Sequence, residues 1–259
     1  MNEREIAALE SYQLLPRLIH GVHTVDSRCE LLGVALDSPL LPLVTAGNQS
    51  PGKGLCLLDA DVCLAHPETF SPASTLPLLA TEKMGILMPK VRKLAALDVP
   101  GLVLDVSHLA DTPPYGSRDW RPRTREDLAE LRAAAGSPLW LYGVSSSSDA
   151  EAAVEVGLEG IVVHAGAGAY LGGPSTIEVL PEILDAVAGM IGVYAGGLVR
   201  SGIDLFRYLA VGAEGVVVGS DRSLSNLEAE LHYAMRLTGC ETLSDLGYEA
   251  FFAPLFEEW

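Results

Sequence analysis

Positive charge is scarce in this sequence beside negative charge. Lys and Arg number 17 against 34 Asp and Glu, a formal charge of −17 on 259 residues. So acidic a surface repels nucleic-acid phosphates and anionic lipid, and neither nucleic acid nor a membrane is expected as a partner. The excess reads as solubility in the cytoplasm. Long apolar runs are missing too. No stretch approaches the ~18 uninterrupted apolar residues of a membrane span, and the opening MNEREIAALESYQLL is charged and amphipathic, with no apolar signal core. Cysteine is sparse: Cys29, Cys56, Cys63 and Cys240 make no CxxC pattern, and Cys56 and Cys63 sit in apolar sequence. They read as buried free thiols in a reducing compartment, and no metal site is expected. Low-complexity segments, charge blocks and linkers are lacking as well, so a single domain over 1–259 is expected.

What is present is apolar material, 49% of the chain, enough for one large core of α/β-barrel size. From about residue 85 short β-rich runs alternate with capped amphipathic segments, the order of a parallel sheet closed or wound by helices. Buried strands are expected at Leu40–Thr45, Gly85–Met88, Gly101–Val106, Leu139–Gly143, Gly160–His164, Ile191–Ala195 and Gly215–Gly219, with one more inside Gly54–Leu64. Thr124 before Asp127, Ser148 before Glu151 and Ser175 before Glu178 have capping-box spacing, in which a hydroxyl and a carboxylate satisfy first-turn amides. Gly157 and Gly212 stand where left-handed helix caps are expected, and a helix over Ile203–Val211 runs into the last strand. Residues 1–38 read as an N-terminal helix and lead-in. Residues 223–259 read as a C-terminal helix with an apolar tail that packs on its own barrel or joins a homo-oligomer. The irregular loop Asp111–Arg123 follows the fourth strand, on the face where barrels place their active sites.

Particular stretches carry a family likeness. LYGVSSSSDAEAAVEVGLEGIVVHAGAGAYLGGPSTIEVLPEILDAV is similar to the fifth and sixth βα units of the FMN-dependent α-hydroxy acid oxidases and dehydrogenases, glycolate and lactate oxidases among them. VYAGGLVRSGIDLFRYLAVGAEGVVVGSDR resembles their seventh and eighth units with the flavin phosphate site, and ELHYAMRLTGCETLSDL resembles their C-terminal helix. The likeness runs with gaps from Pro16 to Leu246 and is weak from Asn48 to Lys83, where this chain is the shorter. It implies a TIM (β/α)8 barrel, shortened in its N-terminal half and in the loop after strand 4, with FMN as the family's cofactor.

The same resemblance implies a set of catalytic groups: a histidine base with an aspartate partner, an arginine pair for the substrate carboxylate, a tyrosine, and a lysine near flavin N1. Taken one position at a time, this chain has Ile86-Leu87-Met88 where the third strand should end in glutamine, leucine and tyrosine. Asp105 stands where a flavin-contacting threonine is usual, Ser107 where the aspartate is usual, and Tyr142 where the lysine belongs. His164-Ala165-Gly166-Ala167-Gly168 replaces the family's Ser-Asn-His-Gly-Gly-Arg. Each such group is typically worth a factor of ~10²–10⁴ in rate, so their joint replacement argues against ordinary hydroxy acid oxidation. The phosphate site is kept in part. Gly196-Gly197 ends the seventh strand, Arg200-Ser201-Gly202 opens the next helix, and Gly219-Ser220 with Arg222 follows the eighth strand. These groups suit a phosphate dianion, although Ala195 replaces the family's aspartate and one extra residue precedes Arg200. FMN is one expected occupant; a phosphate-bearing substrate without FMN is the other.

The strand ends then offer one mouth with Asp105, Ser107, His108, Tyr142 and His164, together with Thr45, Asn48, Met88, Tyr194 and Arg200. Asp105 and Ser107, at i and i+2, share a face. Asp105 and His164 as an acid–base pair, with Tyr142 between them and Ser107 and His108 at hand, fit non-redox proton transfer of isomerase, lyase or cyclase type on a small anionic or phosphorylated metabolite. Plainer roles stand against this: Asp105 as a loop cap, His164 as a core histidine, Tyr142 as filler of the hole a missing flavin leaves. A flavoenzyme with altered catalytic groups and a non-catalytic ligand- or partner-binding protein are the two other classes the sequence leaves open.

Overall fold

The computed structural model describes residues 2–44, 54–107, 122–166, 172–219 and 223–252. A helix α1 (Asn2–Ser11) and a hairpin, β1 (Cys29–Leu31) and β2 (Val34–Leu36), precede the strands β3 (Leu40–Val44), β4 (Cys56–Asp59), β5 (Thr75–Ala80), β6 (Leu102–Asp105), β7 (Leu139–Val144), β8 (Gly160–Val163), β9 (Gly192–Ala195) and β10 (Gly215–Gly219). From β3 onward the strands are parallel and close into a barrel in the order β10-β3-β4-β5-β6-β7-β8-β9. Helices α2 (Ala60–Ala65), α3 (Met84–Ala95), α4 (Arg125–Ala135), α5 (Ser147–Val156), α6 (Thr176–Val187), α7 (Gly202–Val211) and α8 (Leu224–Thr238) lie between and after them. This is the TIM (β/α)8 barrel the sequence led us to expect. Among the described residues no helix is long and apolar enough to cross a membrane.

Alternation along each strand sorts its side chains into two layers. Leu40, Val44, Leu79, Leu104, Leu141, Ile161, Val163 and Val218 belong to the outer core beneath the helices, and the intervening Leu41, Leu57, Leu76, Val103, Trp140, Tyr142, Val162, Tyr194 and Val217 fill the barrel itself. Both faces of the strands are buried, which is why they read as continuous apolar runs. The Trp140 and Tyr194 rings meet edge to face with centroids 5.4 Å apart. Room for them comes from missing side chains: a Cβ on Gly160 would collide with the Trp140 ring, and one on Gly215 with the Tyr194 ring. The β1–β2 hairpin adds Leu31 and Leu36 to the same interior cluster and closes the floor.

Seven of the expected strands are found and one is displaced. Gly85–Met88 is not a strand but the start of α3. Its buried residues Leu87, Val91 and Leu94 follow a helical stripe, while Ile86 is 50% exposed. The third barrel strand is Thr75–Ala80, whose Pro77 lies in register with Leu58 of β4. Met88 therefore packs against the outer core and takes no place at the mouth. The capping box at Thr124 with Asp127 forms as expected; at Ser175 only its carboxylate half does, with Glu178 Oε2 accepting the Ser175 amide at 2.7 Å, and α5 starts earlier than its Ser148 signal, the Ser146 hydroxyl accepting the Asp149 amide at 3.2 Å.

Replacing Gly160 with Ala should cost about 1–3 kcal/mol in chemical denaturation, the usual size of an overpacking penalty. Combining it with Trp140→Phe should recover part of the loss, because the clash is with the indole; equal losses with and without that second change would refute this account of the floor.

Candidate active site at the barrel mouth

The C-terminal strand ends set one layer of side chains across the top of the barrel. Asp105 ends β6 in register with Tyr142 of β7, and Tyr142 is in register with Val162 of β8, two residues before His164. Asp105 is 4% exposed and Ser107 6%. Asp105 Oδ1 accepts the Ser107 amide at 2.8 Å and the Ser107 hydroxyl at 2.6 Å, so the shared face expected of the two is a closed turn. The Asp105 carbonyl also accepts the Thr81 hydroxyl from the end of β5. Gly143, at φ 100°, makes this turn possible, since a Cβ there would sit 2.5 Å from Ser107 Cβ.

Tyr142 leans the other way. Its ring stacks on the His164 imidazole, centroids 5.3 Å apart and planes at 30°. It also lies against Gly196, where a Cβ would stand 3.3 Å from Tyr142 Cε2. His164 Nδ1 accepts the Gly166 amide at 3.3 Å, which puts the proton of the neutral ring on Nε2. Beside this ring opens a cleft of about 240 Å³, bounded by Arg4, Glu5, Gly172, Pro174 and Ser175. The mouth thus brings Asp105, Ser107, Tyr142 and His164 together, with Tyr142 between the carboxylate and the imidazole. Tyr194 does not join them. It is 1% exposed, lies inside the barrel against Trp140, and burial pushes its hydroxyl far above its usual pKa, with the nearby Cys29 and Glu214 adding to the shift. The alternation of β9 turns it inward, and Gly215 lets it lean to the floor. Thr45, Asn48, His108, Ser220 and Arg222 lie outside the described residues.

The turn after β9 departs most from expectation. Gly196 and Gly197 are placed as anticipated, and Gly219 ends β10 opposite Leu43. Yet three backbone amides of this turn are engaged by the chain's own carboxylates. The Leu198 amide donates to Glu5 Oε1 at 3.0 Å, the Arg200 amide to Asp204 Oδ2 at 3.0 Å, and the Gly202 amide to Glu230 Oε2 at 2.7 Å. Arg200 itself grips Asp204 through Nε at 3.0 Å and Nη2 at 3.1 Å, and Glu10 through Nη1 at 2.9 Å. Asp204 is fully buried and also holds Arg207 at 2.8 Å. Burial alone would raise its carboxyl, but the hydrogen bonds and charge of Arg200, with Arg207 behind, outweigh that and hold it below its usual value. Arg200 braces α7 here through Asp204 and Glu10, and the other side chains expected around a phosphate, Ser220 and Arg222, lie outside the described residues. Glu5, Asp204 and Glu230 were not among the expected site residues. Asp204 had a local signal, four residues after Arg200 on a helix; Glu5, 193 residues from Leu198 in sequence, had none.

Comparison with known proteins agrees with this architecture. A family model described as FMN-dependent dehydrogenase matches residues 107–252. A peroxisomal (S)-2-hydroxy-acid oxidase of Oryza sativa subsp. japonica is 33% identical over 313 aligned positions, covering 93% of this chain and 84% of that protein. An L-lactate dehydrogenase of Caulobacter sp. (strain K31) is 38% identical over 136 residues, 47% of this chain and only 36% of that protein. Among solved structures, a lactate oxidase of Pediococcus acidilactici superposes with a TM-score of 0.78 at 20% identity, covering 94% of this chain and 84% of the other. A mandelate oxidase variant with a monooxide FMN adduct gives a TM-score of 0.72 at 23% identity, covering 92% and 87%. At such identities these two speak for the fold alone.

The Asp204 cluster makes stability depend on acidity. Because its folded pKa is lowered, its contribution is complete above the unfolded value near ~3.9 and is lost as pH falls through the folded value. The melting temperature should drop below about pH 4, less steeply in Asp204→Asn. Asp204→Ala should cost about 2–3 kcal/mol at neutral pH, the loss of charge-assisted bonds to two arginines; a cost near zero in urea titration would show the cluster to be decorative.

Proposed function

The chain belongs to the FMN-dependent dehydrogenase family, and from that premise we propose that its mouth moves protons on a small anionic metabolite instead of removing hydride from a hydroxy acid. The convergence of Asp105, Tyr142 and His164 on one layer carries this reading. His164, beside the cleft, faces the ligand with its imidazole, which donates a hydrogen bond to a ligand oxygen and steadies the negative charge that gathers there. The Asp105 carboxylate, held by Ser107, accepts a proton from the carbon or hydroxyl facing it. Tyr142 forms the wall between them and fixes the plane of the imidazole. Such a positioned pair typically contributes 10²–10⁴-fold each to a proton transfer.

Against hydride chemistry stand the strand ends as folded. The third strand ends Leu78-Leu79-Ala80, with no tyrosine or glutamine. Asp105 and Tyr142 occupy the positions where the family resemblance implies a threonine and a lysine, and a carboxylate there opposes a ring that gains negative charge on reduction. A second reading, a flavoenzyme with altered groups, is favoured by the family's FMN dependence and by the retained Gly196-Gly197 turn. A reducing cytoplasm suits the thiols: none is in a disulfide among the described residues, and burial pushes Cys29 up to about 11 and Cys63 up to about 12, leaving these two protonated.

The visible spectrum of the purified protein, recorded before and after anaerobic addition of lactate or glycolate, tests the reading. Any flavin present should stay oxidised, and rapid bleaching would overturn the proposal. In D2O the protein should wash deuterium into 2-hydroxy or 2-oxo acids, with Asp105→Asn and His164→Gln each slowing the exchange ~10²–10⁴-fold.

A further inference from the structure

The anion seated on the turn after β9 comes from outside the barrel repeat. Glu5 lies on α1, and α1 is docked here by several independent contacts. Arg4 Nη1 donates to the Gly172 carbonyl at 3.0 Å, Arg4 Nε pairs with Glu178 at 3.4 Å, Glu10 pairs with Arg200 at 2.9 Å, and Leu9 is fully buried. Gly197 is what admits the carboxylate: a Cβ there would lie 2.9 Å from Glu5 Oε1 and would collide with the Tyr208 hydroxyl. That hydroxyl, on a fully buried Tyr208, is aimed at the same turn and finds no hydrogen-bond partner among the described residues. The turn therefore has the makings of an anion site, with a freed amide, a glycine that leaves space and an unpartnered donor, and a tethered carboxylate sits in it.

We propose that Glu5 is a specificity-determining residue of the mouth: an internal anion that excludes phosphate-bearing ligands from the Gly196–Arg200 turn and reserves the cleft beside His164 for unphosphorylated acids. The inference rests on the reading of the mouth as a small-anion site and names which anions it admits. The physical ground is simple. A phosphate dianion would need the Leu198 amide that Glu5 holds and would meet a like charge at contact distance, in a spot where burial weakens screening. Neutralising Glu5 while keeping its shape should turn the turn into a phosphate site.

Inorganic phosphate is the probe. The melting temperature of the full chain is measured in phosphate and in chloride at matched pH and ionic strength, for wild type, Glu5→Gln and Glu3→Gln, the last removing the same charge from an exposed α1 residue that the turn does not use. Phosphate should leave wild type and Glu3→Gln unmoved and raise Glu5→Gln by on the order of 2–4 °C, the size expected when a ligand at several times its Kd binds a domain of this length. Stabilisation of wild type by phosphate overturns the proposal without any variant, and so does a Glu5→Gln protein that folds and does not respond. A parallel fluorescence titration compares FMN with riboflavin. Wild type should show less than a threefold preference for FMN, and a tenfold preference also overturns the proposal. Neither measurement uses turnover, so failure here leaves the proton-transfer roles of Asp105 and His164 standing, and failure of those roles leaves this result standing.

Discussion

A closed barrel must fill its own interior, and here that filling is done by two large rings set against glycines. Trp140 and Tyr194 meet edge to face near the floor, where Gly160, Gly192 and Gly215 have no side chains to oppose them. Aromatic rings bury large areas, so this pair supplies much of the interior's apolar contact with few residues. The consequence reaches the mouth. With the floor taken by Trp140 on β7 and Tyr194 on β9, the next inward positions of those strands are Tyr142 and Gly196, and the Tyr142 ring lies over Gly196 and against His164. The stack at the top is thus a continuation of the packing below it, shifted by one inward step along each strand.

The acidic excess has a structural use that composition alone does not suggest. Carboxylates serve as acceptors for backbone amides that the barrel leaves open. At the floor Glu159 takes the Leu139 amide at 2.8 Å and Glu214 takes the Val193 amide at 3.2 Å, both at strand beginnings. At the mouth Glu5, Asp204 and Glu230 take the amides of the turn into α7. Buried amides need partners, and an unmade bond costs about 1–3 kcal/mol. Charged acceptors meet that need strongly, and they also set the field. Where the family resemblance implies a positive, phosphate-accepting turn, this chain has arranged its arginines around a fully buried Asp204 and its amides around glutamates.

The parts of the fold legible in the sequence were those with local signals. Strands buried on both faces stand out as apolar runs, which is how β3, β6, β7, β8, β9 and β10 could be placed. The third strand was misplaced because two apolar segments compete there: TLPLLA holds a proline, a residue rarely central in sheets, while MGILM looks extended unless one notices that Leu87, Val91 and Leu94 follow a helical period. At the site, the i, i+2 pairing of Asp105 with Ser107 and the adjacency of Tyr142 and His164 could be read from strand alternation and order. The inward turn of Tyr194 followed from the same rule once the strand's first residue was fixed, one position later than the apolar run began. Glu5 could not be found this way, because nothing near position 5 encodes a contact with position 198.

The separation between floor and mouth sets which parts of this barrel hold the fold and which are left to chemistry. The floor rings, the hairpin and the outer cluster beneath the helices hold the strands without help from Asp105 or His164. Mouth residues at strand ends are therefore free to vary in chemistry while the fold persists, which is the general reason one barrel supports many reactions. The freedom is not complete. Backbone donors at the turn into α7 need acceptors, and in this chain those acceptors are side chains from α1, α7 and α8. Glu5 on the Leu198 amide and Glu10 on Arg200 tie α1 to the mouth, and under the proposed role of Glu5 the ligand preference of the site and the docking of that helix are one structural property.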